Sequence, residues 1–117
     1  MNEKNEVYKE IAIEQRMYFD CFRSPEIFIT MRSNDFSRLN RLQEICGGRV
    51  ADGAYSHRSS AHSDIWGRYV WHMEGEEAYQ FCLAILPYLR IYDPWRYGFC
   101  RQCINVHESR RYESTGT

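Results

Sequence analysis

The spacing of hydrophobic positions changes several times along the chain, and each change marks an element. Val7, Tyr8 and Ile11 recur at helical spacing and predict a short helix over 3–13. Two apolar, aromatic runs at 15–22 and 26–32 flank Arg23-Ser24-Pro25, which predicts a hairpin. In the second run Ile27, Ile29 and Met31 share one face, and Phe28, Thr30 and Arg32 share the other. Phe36, Leu39, Leu42 and Ile45, with Cys46, then form a helical stripe. Ser33 or Asn34 is expected to cap that helix. Gly47-Gly48 is expected to end it, because glycine takes the left-handed conformation readily. Strands are predicted at 49–56 and at Asp64–Met73, around a polar loop at 57–63.

A third helix is predicted from near Gly75, with Ala78, Phe81, Cys82, Ile85 and Leu89 on one side and Pro87 tightening or kinking its last turn. Asp93-Pro94 is a cap followed by proline at the first helical position. In that last helix Trp95, Phe99, Cys103 and His107 lie four apart on one face, with Cys100 and Ile104 beside it. The order α-β-β-α-β-β-α-α predicts an α+β domain: a four-stranded antiparallel or mixed sheet, helices on one face, the other face free. One domain is expected over 1–112, with 113–117 a flexible tail lacking an apolar anchor.

Composition narrows the possible functions. The 117 residues carry a net charge of −1, so no global basic field draws the protein onto nucleic acid or membrane, and any such affinity must be local. No apolar run reaches the roughly 18 residues of a membrane span. Nine Tyr, six Phe and three Trp exceed what a small core needs, which places some rings on a working surface. The cations are almost all arginine, with Lys4 and Lys9 the two exceptions. Arginine pairs bidentately with phosphate and stacks on rings; codon bias is the plain alternative. Five cysteines, an odd number with apolar neighbours, are expected as reduced thiols in a cytoplasmic protein, one of viral origin acting in host cytoplasm included.

The stretch Arg32-Ser33-Asn34-Asp35-Phe36, Leu39, Leu42, then Ile45-Cys46-Gly47-Gly48-Arg49-Val50 resembles the middle of a LAGLIDADG homing endonuclease repeat. Tyr69-Val70-Trp71-His72-Met73-Glu74-Gly75-Glu76-Glu77-Ala78, Phe81, and Ile85-Leu86-Pro87-Tyr88-Leu89-Arg90-Ile91 resembles that family's aromatic strand, helix start and "PYL" ending. The likeness covers residues 26–105. It implies an αββαββα repeat whose concave sheet enters the DNA major groove, repeats that pair through the first helix, and acids at the foot of that helix that hold divalent metal. The chain departs from the pattern at that helix. Lys9-Glu10-Ile11-Ala12-Ile13-Glu14-Gln15-Arg16 lacks the small contact residues, and Arg16 stands at the last acidic position. Glu14, or Asp20 in another frame, is the remaining candidate catalytic acid.

The strand period assigns the open sheet face. If Tyr69, Trp71 and Met73 face the helices, then Trp66, Arg68 and His72 face outward with Arg32, Arg49 lies near the rim, and Arg58 sits in the hairpin loop. Interleaved arginines and rings suit phosphate pairing with base stacking; a solvated sheet face is the plain alternative. Cys100, Cys103 and His107 have zinc-like spacing but lack a fourth ligand, so core packing is expected and no metal site is assigned. Glu74, Glu76 and Glu77 complement a helix dipole. The expected function is a nucleic-acid or nucleotide-binding domain without catalysis or cofactor. Two alternatives stand beside it. One is a small phage-type inhibitor of a nucleic-acid-handling machine such as a CRISPR effector, or a protein that sequesters a nucleotide signal. The other is an active homodimeric endonuclease using Mg2+.

Overall fold

The computed structural model describes residues 3–14, 17–21, 27–52 and 68–115, with side chains through 110. The elements run α1 (Glu3–Ile13), β1 (Met17–Asp20), β2 (Phe28–Ser33), α2 (Phe36–Cys46), β3 (Arg49–Asp52), β4 (Tyr69–Glu74), α3 (Gly75–Tyr92) and α4 (Pro94–Thr115). The expected α+β class and element order are what the chain adopts. The sheet is antiparallel throughout, in the order β1-β2-β4-β3. β2 and β4 thus lie at its centre, and they carry the strongest alternation of apolar and polar positions.

That alternation separates two faces. Cross-strand rows Met17, Met31, Trp71, Val50 and Phe19, Ile29, Met73 point toward the helices. Ile29 and Trp71 are completely buried there. Over them pack Val7, Tyr8, Ile11 and Ala12 of α1, Leu39 and Leu42 of α2, and Phe81, Ile85 and Leu89 of α3. Tyr8 meets Phe81 edge-on at 5.7 Å between centroids and Tyr88 at 5.8 Å. Four helices on one side bury that face because each presents a single apolar stripe that needs a partner.

The α2–β3 junction explains why two glycines stand together. Gly47 (φ 91°) closes α2 by donating its N–H to the Gln43 carbonyl at 2.9 Å. The Trp71 indole N–H donates to the Gly47 carbonyl at 2.8 Å. Gly48 (φ 85°) runs so close to that ring that a Cβ there would lie 2.5 Å from Trp71 Nε1. The helix stop is therefore also the seat of the buried tryptophan.

Several local expectations are corrected. The cap of α2 is Asp35, whose carboxylate accepts from the Arg38 N–H at 3.3 Å. Ser33 accepts from the Asp35 N–H, and Asn34 from the Arg68 N–H, so both serve neighbouring backbone instead. The buried stripe of α4 is Arg96, Cys100, Cys103 and Ile104, rotated from the expected one, and Trp95 is 76% exposed. Phe36 is likewise exposed, resting edge-on against Tyr69. Pro87 sits inside α3, which continues beyond it to Tyr92. Asp93 does cap α4, accepting from the Arg96 N–H at 3.1 Å.

Candidate nucleic-acid interface

The helix-free face follows from the same registers. Its central row runs Tyr18, Thr30, His72, Arg49 across all four strands. One neighbouring row is Arg32, Val70, Ala51, and the other is Asp20, Phe28, Glu74. Phe28 and His72, diagonal neighbours, stack with centroids 6.0 Å apart and planes 12° off parallel. Tyr18 is 60% exposed, and Arg49 is exposed on the edge strand. β2 and β3 both flank β4, so the Cα atoms of Arg32 and Arg49 stand roughly 12 Å apart, two strand spacings across and two residues along. The face therefore has Arg32 in one flanking row, Arg49 in the central row with Tyr18 and His72, and Phe28 between the acids Asp20 and Glu74 in the other flanking row.

The predicted residues divide accordingly. Arg32, Arg49 and His72 share the helix-free face. Arg68 does not join them: its guanidinium binds the Asp52 carboxylate, with Nη2 3.1 Å from Oδ2, and lies over the Tyr69 ring at 5.4 Å. Asp52 pairs with Tyr69 in register, on the side of the sheet that Trp71 occupies. Arg68 thus ties the ends of β3 and β4 together on the helix side. Arg58 and Trp66, with His57 and His62, lie outside the described residues. Sequence reasoning missed Tyr18 as a surface ring, although its alternation with the buried Met17 and Phe19 carries the signal.

The foot of α1, where the family resemblance puts metal-holding acids, is occupied by a cation. Arg96 of α4 is 6% exposed and reaches under the helix. Its Nη2 donates to the carbonyls of Ile11 at 3.0 Å, Ala12 at 3.1 Å and Glu14 at 2.6 Å. Nη1 reaches the Met17 carbonyl at 3.4 Å, and Nε pairs with Asp93 at 2.5 Å. The last carbonyls of a helix lack intrahelical partners and carry partial negative charge, so a guanidinium satisfies both deficits. Burial pushes the Asp93 carboxyl up, but hydrogen bonds from Arg96 and its charge outweigh this and hold it below 3.8.

The two candidate acids are placed apart. Glu14 forms an ion pair with Arg38 of α2, and Asp20 sits in the open-face row with Phe28. The apolar side of α1 is used within the chain, and its outer side shows Glu6, Lys9, Glu10 and Ile13. That surface lacks the small residues that close helix pairing needs.

The C-x2-C-x3-H donors also separate. His107 hydrogen-bonds Glu76 at 3.0 Å and stacks on Tyr79 at 4.5 Å, while Cys100 and Cys103 are buried in the core. Among the described residues no three His, Cys, Asp or Glu side chains are grouped to hold a metal ion, and no helix is long and apolar enough to cross a membrane. No family model, curated protein or solved structure matches this chain.

Proposed function

We propose that this protein binds nucleic acid through the helix-free sheet face and does not cleave it. The observation that carries the reading is the juxtaposition of Arg32, Arg49, His72, Phe28 and Tyr18 on the sheet face against which none of the described helices packs. Arg32 and Arg49 supply phosphate contacts, and the rings of Tyr18, Phe28 and His72 supply base stacking. The resemblance to LAGLIDADG endonucleases favours the same face, and Arg96 at the foot of α1 favours a form without metal chemistry.

Fluorescence anisotropy with short labelled single-stranded and duplex DNA tests the reading. Binding at low salt should fall linearly on a log–log plot as salt rises. Arg32→Ala and Arg49→Ala should each lower that slope by about 1. Tyr18→Ala should weaken single-strand binding by about 1–3 kcal/mol if bases stack there. An affinity that ignores salt, or a double arginine variant that binds like wild type, would refute the proposal.

A protein-blocking role is the second reading, and one surface favours it. Ile91 (70% exposed) and Trp95 (76% exposed) project at the α3–α4 corner, and aromatic anchors of this kind dominate protein interfaces. If Ile91→Ser with Trp95→Ser abolishes the biological effect while DNA binding persists, function moves to that corner.

A further inference from the structure

On the helix-free face, the register sets Phe28 between two acids: Asp20 is its partner on β1 and Glu74 its partner on β4. Paired residues on one face of an antiparallel sheet have Cβ atoms about 4.5–5.5 Å apart, so both acids stand beside Phe28. The Phe28 ring is half-exposed and lies nearly parallel to that of His72, centroids 6.0 Å apart. Glu74 is exposed and is the N-cap residue of α3, yet its side chain makes no capping hydrogen bond. A stacking ring thus has a carboxylate acceptor at its side.

Among the described residues this face carries Arg32 and Arg49 against Asp20 and Glu74, so with His72 neutral its formal charge is balanced. A duplex is held chiefly through its phosphates, which carry one charge per about 1.7 Å of axis. A balanced face suits that density poorly, and two carboxylates keep a phosphate away from Phe28. Rings gain instead from the faces of bases, which a duplex keeps stacked inside. We infer that the strand bound here is unpaired, and that an unpaired guanine stacks on Phe28 with its N1–H and N2–H donated to the Glu74 carboxylate. This inference rests on the nucleic-acid reading above and narrows it.

The choice of base follows from the acceptor. An ionised carboxylate only accepts, and its two oxygens suit two parallel N–H donors. Guanine presents N1–H and N2–H side by side on its Watson–Crick edge. Cytosine and adenine each set an amino group beside a ring acceptor, and thymine or uracil sets one N–H between two carbonyls; a carboxylate repels those acceptors. Within a duplex guanine has already given both donors to cytosine, so the contact requires an unpaired base. Arg32 lies four residues along β2 from Phe28, about 14 Å away, where a phosphate of the same strand escapes the two acids.

Fluorescence anisotropy on the full chain compares a short labelled oligothymidine, the same strand with one central guanine, and that second strand annealed to its complement. The guanine strand should bind about 5- to 100-fold tighter than the all-thymine strand, and tighter than the duplex. Phe28→Leu, which keeps apolar bulk without the ring, should weaken the guanine strand about fivefold or more. Glu74→Gln should erase the preference for guanine over thymine; loss of a negative charge alone would tighten all three probes alike. Glu74 is exposed, so this variant keeps the test sound even where Phe28→Leu disturbs folding. Salt-sensitive binding with the duplex equal to or tighter than the single strand overturns the inference and leaves the nucleic-acid reading standing. Equal affinity for guanine and thymine strands, or a Glu74→Gln variant that keeps the preference, overturns the base contact. Binding of neither form at low salt removes both the inference and the reading beneath it.

Discussion

Replacing Arg96 with methionine separates the electrostatic role of this side chain from its volume, since methionine keeps an unbranched apolar stem of similar reach. The variant leaves Asp93 buried without its partner, and breaking a buried ion pair from one side costs about 3–5 kcal/mol. It also removes the donor to the carbonyls of Ile11, Ala12 and Glu14. An unsatisfied buried acceptor costs about 1–3 kcal/mol, and water entering at the helix end relieves most of the three. The expected loss is therefore about 4–6 kcal/mol, against a total of about 5–15 for a domain of this kind.

Urea unfolding followed by circular dichroism measures that loss, and Arg96→Lys, which keeps the charge without the fork, should fall between wild type and Arg96→Met. Adding Asp93→Asn to Arg96→Met should restore about 2 kcal/mol, because the orphaned charge is then gone and asparagine still caps α4. The pH dependence follows in sign. The native Asp93 carboxyl is held below 3.8, so its stabilisation is complete above about pH 4 and lost as pH falls through the native value. Without the Arg96 guanidinium the upward push of burial is opposed only by the backbone N–H groups of residues 95 and 96. The gap between wild type and Arg96→Met should then narrow in acid. A loss under about 1 kcal/mol, or a gap that stays constant below pH 4, would refute this account of the α1 foot.

Two further substitutions test the packing. Gly48→Ala forces a left-handed residue to place a Cβ 2.5 Å from the Trp71 ring and 2.9 Å from the His72 carbonyl; a loss of about 2–5 kcal/mol is expected in thermal or urea unfolding. Gly98→Ala, inside α4 with open space around it, should instead stabilise by about 0.5–1 kcal/mol. Burial, then Cys46 and Tyr88, push the Tyr8 hydroxyl up to about 12, so it favours the folded state below pH 10 and this contribution disappears between pH 10 and 12. Tyr8→Phe should flatten that part of the alkaline stability profile, and an unchanged profile would place the ring in a wetter setting.

Local patterning alone determined the class of fold, the order of its elements and the two faces of the central strands. Ile27, Ile29 and Met31 alternate with Phe28, Thr30 and Arg32, and a period of two leaves no freedom about which residues share a side once one face is buried. The same rule puts His72 and Arg32 on one side. It did not settle side chains at strand ends: Arg68 has the parity of the open face, yet its long, flexible stem turns to the Asp52 carboxylate on the other side. Nor could periodicity reveal Arg96, because a charged residue between Trp95 and Tyr97 reads as exposed until the carbonyls of α1 are known to lie beneath α4. Trp95 is the converse, an apolar residue left outside because the polar partner of α1 takes the inward position. Contacts between neighbours on one strand or helix are written in local spacing, whereas contacts between elements depend on how layers dock, and docking minimises the free energy of the whole chain.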